Sequence, residues 1–370
     1  MWWGMDPSLG SFTPPFCPNP DCHFHRHDHP RWRFVRAGFF ARCCLPQRIQ
    51  RYQCRHCRRY FSDQTFHPSY WLKRPDLLLP LFHRLIGCSG FRQIAREFNT
   101  SPSTVLLHTA RLGRHGLLVH QQLRPRGPIR EPLALDSFIS FEFSQYWPTA
   151  FHLAAGRDSH FFYGFTESEL RRSGSMTPRQ RRRRQRLEAR FGRPDPRAQE
   201  RDVAELLALI APTPQPLTLH TDEHLAYPRA LARLPHLTID HHTVSSRAVR
   251  VPKNPLFEVN LLDLLIRHSG ANHKRETIAF SKRRQSAVDR LAVFLVWRNY
   301  VKCFSERKRD ATPAMRLGVL ERPLTIRELL RARRFPSRER LPQRWAEYYW
   351  RAIVTRQIPR SRTHRLTYAA

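Results

Sequence analysis

Four of the eight cysteines fall in two close pairs, a pattern typical of a metal site. Cys17 and Cys22 belong to CPNPDC, and Cys54 and Cys57 belong to CRHC, about thirty residues further on. Each pair can occupy one tight turn and present two thiolates to the same side, and four thiolates form a tetrahedral ligand set for structural Zn²⁺. The spacing therefore predicts a small zinc ribbon. Nearby histidines either replace a cysteine as ligands or lie in a solvated loop: His23, His25, His27 and His29.

Two aspartates occupy positions where strand acids can form a second metal site. Asp136 lies within the alternating segment PLALDSFISFEFSQYW, and Asp222 ends the short strand predicted for PLTLHTD. Carboxylates gathered at one edge of a sheet are readily neutralised by hard divalent cations, mainly Mg²⁺ or Mn²⁺. Two such ions can activate a water or a 3′-hydroxyl in phosphoryl transfer. A third acid from a following helix would complete the site.

Periodicity predicts the elements that hold these aspartates. The strand containing Asp136 and two strands in PTAFHLAAGRDSHFFYGFTES, joined near residues 156–159, form a predicted antiparallel meander. Further strands are predicted for PLTLHTD and HLTIDHHTV, followed by helices over about 256–269 and 285–304. Strands followed by helices, with acids at strand ends, indicate an α/β fold with a mixed sheet and flanking helices.

A helical region precedes these strands. One helix is predicted to end near Gly87, a second to cover residues 91–98, and a third to begin after a turn, capped by Ser101 or Ser103. This is the layout of a helix-turn-helix, whose second helix enters the major groove, and also of an ordinary helical hairpin. The side chains expected to contact DNA are Arg92, Arg96, Ser103, Thr104, His108, Arg111 and Arg114.

Composition favours a polyanionic partner. The 370 residues include 64 Lys and Arg against 30 Asp and Glu, a formal net charge of +34, and 41% of them are hydrophobic. Nucleic acid is the commonest intracellular polyanion, and the hydrophobic content is too high for a disordered basic tail. A ribosomal or packaging protein is the alternative. No segment has the roughly 18 to 20 apolar residues that cross a bilayer, so we expect a cytoplasmic protein without a membrane partner.

Taken in order, these segments resemble bacterial insertion-sequence transposases with an N-terminal zinc ribbon and a DDE catalytic domain. The resemblance covers about residues 17–320 and rests on CPNPDC, RYQCRHCRRYFS, GFRQIAREFNTSPSTVLLH, LALDSF, LHTDEHLAY, NPLFEVNLLDLLIRHSGANHKRETIAFSKRRQ and VFLVWRNYVK. It implies a ribonuclease H-like fold, binding of double-stranded DNA at terminal inverted repeats and at a target, and magnesium-dependent strand cleavage and transfer. It also implies self-association on DNA and a nucleoid location.

The third acid departs from the family pattern. Relatives carry a Glu, then an Asn three residues later, then an Arg on the last helix, whereas this chain has Asn260, Asp263 and Arg267. Asp263 can reach the position of a Glu one turn earlier, and Glu258, which has a longer side chain, is the alternative ligand. The basic residues expected beside the DNA backbone after this helix are Lys274, Arg275, Lys282 and Arg283.

The domain plan that follows has five parts. They are a zinc ribbon at 1–65, a helix-turn-helix domain at 70–118, a linker at 119–131, a ribonuclease H-like catalytic domain at 132–305 with a basic insertion at about 168–205, and a basic tail at 306–370. Two other functions fit the same plan. One is a decayed transposase that only binds DNA, and the other is a metal-dependent nuclease without joining activity.

Overall fold

The computed structural model describes residues 12–26, 30–245, 247–249 and 251–358. A small antiparallel sheet lies near the N-terminus and consists of β1 (Phe34–Ala41), β2 (Arg48–Cys54) and β3 (Tyr60–Ser62). Its core is aromatic and surrounds three buried cysteines, and one of the rings comes from the C-terminal part of the chain: Phe16, Trp32, Tyr52, Phe61, Phe66 and Phe335.

A larger mixed sheet forms the centre of the molecule. Its strands are β4 (Leu133–Phe141), β5 (Pro148–Gly156), β6 (Phe162–Glu169), β7 (Pro216–Asp222) and β8 (Thr238–Val244). Their order is β6-β5-β4-β7-β8, with β4, β5 and β6 antiparallel and with β4, β7 and β8 parallel. The predicted meander and the predicted mixed α/β sheet are therefore confirmed.

Helices cover both faces of this sheet. On one side α5 (Ala198–Ile210) packs against β6 and against α6 (Ala226–Leu231), and on the other α7 (Phe257–Ser269) packs against β4 and β5. The two sides are distinct because neighbouring residues of β4 point in opposite directions. Ser137 lies within 3.5 Å of Tyr227 in α6, whereas the ring of Phe138 lies 5.3 Å from the guanidinium of Arg267 in α7.

The basic insertion contains two helices of different character. The first, α4 (Pro178–Phe191), has no buried residue, and Thr177 and Gln180 form a capping box at its start. Glu188 anchors it to the rest of the chain through an ion pair with Arg171 at 2.8 Å. The second helix is α5, which is part of the core. The insertion therefore adds one exposed arginine-rich helix to the sheet.

Three helices precede the sheet, as predicted: α1 (Leu78–Ile86), α2 (Phe91–Glu97) and α3 (Pro102–Leu123). Ser101 is the N-cap of α3, because its Oγ accepts a hydrogen bond from the backbone N–H of Thr104 at 3.0 Å. The helix continues through residues 119–123, which the sequence assigns to a linker. The irregular connection begins only at Arg124.

The long helix α3 joins these helices to the sheet domain by packing closely against α8 (Arg284–Tyr300). A Cβ atom at Gly113 would lie 2.5 Å from the backbone oxygen of Asp289, and one at Gly116 would lie 2.8 Å from that of Ala292. Only glycine fits such a close approach without a shift. The three helices and the mixed sheet consequently share one hydrophobic core.

The C-terminal segment is also part of that core as far as residue 358. It contains α9 (Pro313–Arg316), α10 (Ile326–Leu329) and α11 (Gln343–Trp350). Trp345 and Tyr348 of α11 are fully buried, and the hydroxyl of Tyr348 donates a hydrogen bond to Glu167 of β6 at 2.6 Å. Among the helices of the described residues, none combines the length and apolar character needed to span a bilayer.

Candidate functional site

The four predicted cysteine ligands converge. The Sγ atoms of Cys17, Cys22, Cys54 and Cys57 all lie within 4.8 Å of one another, with 3.6 Å between Cys17 and Cys57 and 4.0 Å between Cys22 and Cys54. A tetrahedral zinc ion with Zn–S bonds of about 2.3 Å separates its sulfurs by about 3.8 Å. The cluster is therefore compatible with a zinc site in both ligand type and spacing.

The surroundings of the cluster favour thiolates at one of its cysteines. Burial raises the pKa of Cys54, but a hydrogen bond from the Trp32 indole at 3.3 Å and backbone N–H groups outweigh burial and lower that pKa overall. Burial raises the pKa of Cys17 and Cys22. Close thiolates repel one another, so a bound cation relieves a cost that the metal-free chain would otherwise carry.

Neighbouring histidines do not replace these cysteines in the described residues. His25 is buried, and its two ring nitrogens lie 2.8 Å from the backbone oxygen of Cys17 and 2.7 Å from the hydroxyl of Ser337. His23 packs edge-on against Phe24. His27 and His29 lie outside the described residues. The Nδ1 atom of His56, inside the second cysteine pair, lies 3.6 Å from the Sγ atom of Cys22, and His56 is not one of the four clustered ligands.

The two predicted strand acids line one cavity. Asp136 in β4 and Asp222 at the end of β7 both border a cleft of about 380 Å³ that α6 and the segment after α4 help to enclose. Both side chains are partly exposed. In the parallel pairing of β4 with β7, Ala134 is opposite His220. The aspartates therefore follow that pair by two residues each, and they lie on the same face of the sheet.

Both aspartates lie near Tyr227 of α6. Burial is the main cause that raises the pKa of Tyr227, and the negative charges of both Asp136 and Asp222 raise it further. Asp136 accepts a hydrogen bond from the backbone N–H of Ser137 at 2.7 Å, and Asp222 accepts one from that of His224 at 2.9 Å. Each carboxylate is thus oriented by its own backbone at the mouth of the cleft.

A hydrogen-bonded chain supports the floor of this cavity, and no sequence pattern predicted it. The Oγ of Ser137 lies 2.6 Å from Nδ1 of His152, whose Nε2 lies 2.7 Å from the Oγ of Ser168. Ser168 in turn donates to Asp202 at 2.8 Å. Burial lowers the pKa of His152 to about 3, so its imidazole is neutral at physiological pH. The chain links β4, β5, β6 and α5 on the side of the sheet that α6 covers, next to the backbone of Asp136.

The two candidates for the third acid occupy different parts of α7. Asp263 is half-buried and both of its oxygens accept hydrogen bonds from Nε of Arg267, at 2.9 and 3.0 Å. Glu258 is buried, and its nearest cation is Arg157 at 3.9 Å. Burial raises the pKa of Glu258. Within the described residues, the cysteines are the one group of three or more possible ligands close enough to share an ion, so neither acid converges with the aspartates.

Of the side chains predicted to contact DNA from the helix-turn-helix, some are exposed and others form hydrogen bonds within the protein. Arg92, Arg96 and Ser103 are exposed, and Thr104 is partly exposed. Together they form a polar surface at α2 and at the start of α3.

His108 and Arg111, further along α3, are turned inward. His108 is buried between the backbone oxygens of Thr104 and Arg74, each 2.9 Å from a ring nitrogen. Arg111 donates to the backbone oxygen of Pro68 at 3.0 Å. Side chains held in this way do not present themselves to a DNA groove, because contact would require these hydrogen bonds to break.

The segment after α7 is strongly basic and exposed. Lys274, Arg275 and Lys282 are exposed, whereas Arg283 is partly buried and donates to the backbone oxygen of Ile358 at 2.9 Å. Three of the four predicted cations are therefore accessible to a polyanion.

No family model matches this chain, and a search of curated proteins gave no match.

Proposed function

We propose that this chain is a DDE-type DNA transposase that binds the inverted repeats of an insertion sequence and catalyses metal-dependent DNA cleavage and strand transfer. The observation that carries the proposal is the position of Asp136 and Asp222 at equivalent places on adjacent parallel strands, bordering one cleft. A strand order of β6-β5-β4-β7-β8, with the first three strands antiparallel, is the arrangement expected of a ribonuclease H-like fold. In that fold we expect the acids on these two strands.

The carboxylates fit a hard divalent cation. Asp136 and Asp222 offer oxygen ligands at a partly exposed position, as Mg²⁺ and Mn²⁺ prefer. Bound there, the ions would activate a water or 3′-hydroxyl and stabilise the leaving oxygen. The protein's own contribution is to hold the two carboxylates on one face of the sheet, with Ser137 and Tyr227 on the opposite face beside the same cleft.

The course of α7 favours Asp263 over Glu258 as the third ligand. Glu258 pairs with Arg157, and Arg157 lies 3.2 Å from the imidazole of His220, so Glu258 lies near the level of His220 along the strands. Near the other end of α7, Arg267 lies against Phe138. His220 precedes Asp222 by two residues, and Phe138 follows Asp136 by two, so the carboxylates lie midway along a path of about 13 Å.

Nine residues of helix span about 13.5 Å, close to the length of that path. The midpoint of the helical stretch from Glu258 to Arg267 falls next to Asp263. Asp263 therefore comes nearest to the level of the aspartates. To bind a metal there, its carboxylate must be released from the ion pair with Arg267.

Recognition of the element ends is assigned to the N-terminal part of the chain. The small sheet with its cysteine cluster and the polar surface of α2 and α3 would contact the repeats. The exposed cations after α7 would hold the DNA backbone beside the cleft. Contacts to phosphates alone carry no sequence information, so base recognition is expected from Arg92, Arg96 and Ser103.

The test is a cleavage and strand-transfer assay with Mg²⁺ or Mn²⁺ on duplex DNA that carries the flanking inverted repeat. The variants are Asp136→Asn, Asp222→Asn, Asp263→Asn and Glu258→Gln, with Asp240→Asn as the matched control. Asp240 is an exposed acid on the neighbouring strand β8 and does not border the cleft. We expect the first three variants to lose at least about 1,000-fold in rate while DNA binding survives, and the control to act like wild type.

A second candidate function is a DNA-binding protein that no longer cleaves. The observation in its favour is the ion pair that occupies both oxygens of Asp263. If the wild-type chain binds the ends but never cuts with any divalent ion, this description replaces the transposase. If it cuts DNA but never joins ends, the chain is a nuclease.

A further inference from the structure

A small cavity lies where α3, the segment after the small sheet and the C-terminal segment meet. Eight residues line it: Pro68, Arg111, Arg114, His115, Leu118, Arg333, Arg334 and Tyr349. Four of the eight are arginines and none is an acid. The cavity shares no lining residue with the cleft that contains Asp136 and Asp222.

Three arginines of this cavity, Arg111, Arg114 and Arg334, are poorly neutralised by the part of the chain that the structure describes. Arg114 lies over the ring of Tyr349 at 5.9 Å, and within the described residues its guanidinium donates no hydrogen bond and forms no ion pair. Among the described residues, Arg111 donates a hydrogen bond to one partner, the backbone oxygen of Pro68. The Nε atom of Arg334 is buried and has no hydrogen-bond partner within the described ranges. Arg333 donates to the backbone oxygen of Thr65 at 3.3 Å and so links the cavity to the small sheet.

Nearby carboxylates do not balance this charge. Asp289 is the acid that faces Arg114, but it is bound by Arg351 at 2.7 Å. Glu339 faces Arg334, which Arg338 also faces. A surplus of guanidinium charge in a partly buried place costs free energy unless an anion compensates it.

The titration behaviour of the cluster agrees with that surplus. Burial is the largest cause that lowers the pKa of Arg111 to about 9 and that of Arg114 to about 10. Neighbouring arginines act in the same direction at both positions. His115 adds no charge, because burial lowers its pKa to about 4 and its Nε2 lies 2.7 Å from the backbone oxygen of Leu329.

We propose that this cavity binds a phosphate-type oxyanion. Guanidinium groups bind phosphate oxygens through paired hydrogen bonds, and several converging arginines are the usual way in which proteins hold such a group. The occupant would connect α3, the segment at Pro68 and the segment at Arg333. It is either a free phosphate ion or a backbone phosphate of DNA, and the second source rests on the proposed function.

The first arm of the test measures free phosphate. The full chain is unfolded by heat in inorganic phosphate and in sodium chloride of the same ionic strength, as wild type, as Arg114→Met and as Arg331→Met. Arg331 is exposed and does not line the cavity, so it is the matched control. At a hundredfold excess over Kd, we expect phosphate to raise the Tm of the wild type and the control by about 4 °C, and that of Arg114→Met not at all.

The same arm separates an anion site from a merely structural arginine. Without phosphate, Arg114→Met should unfold at the wild-type temperature or above it, because the variant loses an unpaired buried charge. A lower Tm would mean that the guanidinium stabilises the fold by packing, and it would contradict the proposal. An equal response of wild type and Arg114→Met to phosphate would also contradict it, since the anion would then bind elsewhere.

The second arm measures binding of duplex DNA over a range of salt concentrations, without divalent ions. If a backbone phosphate occupies the cavity, Arg114→Met weakens binding of every sequence alike and reduces the slope of log K against log salt by about 1. The proposal fails if phosphate does not raise the Tm and this variant also leaves DNA binding unchanged. Neither readout needs cleavage, so failure of the transposase proposal would be seen separately.

Discussion

The cysteine cluster and the carboxylate cleft are assembled in different ways. Each cysteine pair lies on one short turn, so local structure determines the positions of two ligands at a time. Tertiary packing has only to bring the two turns together. The two aspartates of the cleft come from strands that are far apart in the chain, and the candidates for a third acid come from a later helix. In the first region all four ligand atoms lie within 4.8 Å of one another, whereas in the second no third acid of the described residues joins Asp136 and Asp222.

This contrast shows what each site depends on. The cysteine site is set by turns and by an aromatic core, so it forms together with the small sheet. The carboxylate site depends on the register of β4 against β7 and on the position of α7, and Arg267 occupies the oxygens of Asp263. A metal would complete the first site, whereas at the second it would have to displace Arg267 from Asp263.

The largest expected effect follows from removal of one cysteine ligand. Cys17→Ser should lose its stoichiometric zinc and unfold the small sheet, because structural zinc supplies about 10 kcal/mol or more of binding free energy that small folds depend on. Zinc content by atomic absorption and limited proteolysis around β2 measure the effect. Cys43→Ser is the control, since Cys43 is exposed and outside the cluster. Full zinc content in Cys17→Ser would show that the cluster is not the metal site.

The next effect is loss of stability in acid, and it concerns the region around the mixed sheet. Burial lowers the pKa of His120, His152 and His273 to about 3, below the ordinary value of 6.5. The unfolded chain therefore takes up protons first, so stability is complete above pH 6.5 and falls as the pH drops towards 3. Within that window, each ring lowers the free energy of unfolding by about 1 kcal/mol for every pH unit that the pH falls.

Denaturant unfolding from pH 7 to pH 4.5, with zinc held saturating, measures this loss. The variant His152→Gln should have a smaller slope of unfolding free energy against pH than wild type, by about one ring's share. Equal slopes would mean that His152 is not buried in its neutral form.

A smaller effect is expected when the hydrogen-bonded chain from Ser137 to Asp202 is interrupted. Ser168→Ala leaves Nε2 of His152 and one oxygen of Asp202 without their shared partner, at a cost of about 1–3 kcal/mol. We also expect slower cleavage, because Ser137 next to Asp136 loses its fixed neighbour. Ser173→Ala is the control, as Ser173 is exposed and lines the same cleft. Equal stability of both variants would rule out the supporting role.

Much of the fold could be predicted from local pattern. Alternation indicated the strands around Asp136 and Asp222, and helical period together with Gly87 and Ser101 indicated α1, α2 and the start of α3. The end of α3 was not predicted, because its last turns are stabilised by packing against α8. A polar and proline-rich sequence nearby resembled a linker although the helix continues to Leu123.

The parts of the sites that could not be predicted depend on contacts between distant residues. Ser137 and His152 meet only because β4 and β5 pair in one register, and a shift of one residue would turn each to the other face. The inward positions of His108 and Arg111 depend on carbonyls at Arg74 and Pro68. Composition reveals an excess of arginine, but not that Arg114 lies within the protein.

The smallest expected effect tests whether Arg267 restrains the carboxylate site. Arg267→Met removes the cation that pairs with Asp263, so a divalent ion no longer has to displace it. If Asp263 is the third ligand, calorimetric titration with Mn²⁺ in the absence of DNA should give a Kd lower by about fivefold, close to 1 kcal/mol. Arg275→Met, an exposed cation after the same helix, should leave the Kd unchanged. In the double variant with Asp263→Asn, the change Arg267→Met should no longer lower the Kd for Mn²⁺, because no carboxylate is left at position 263 to be released. A gain in Mn²⁺ affinity that persists in the double variant would assign the effect to a general loss of positive charge, and Glu258 would then be the better candidate for the third acid.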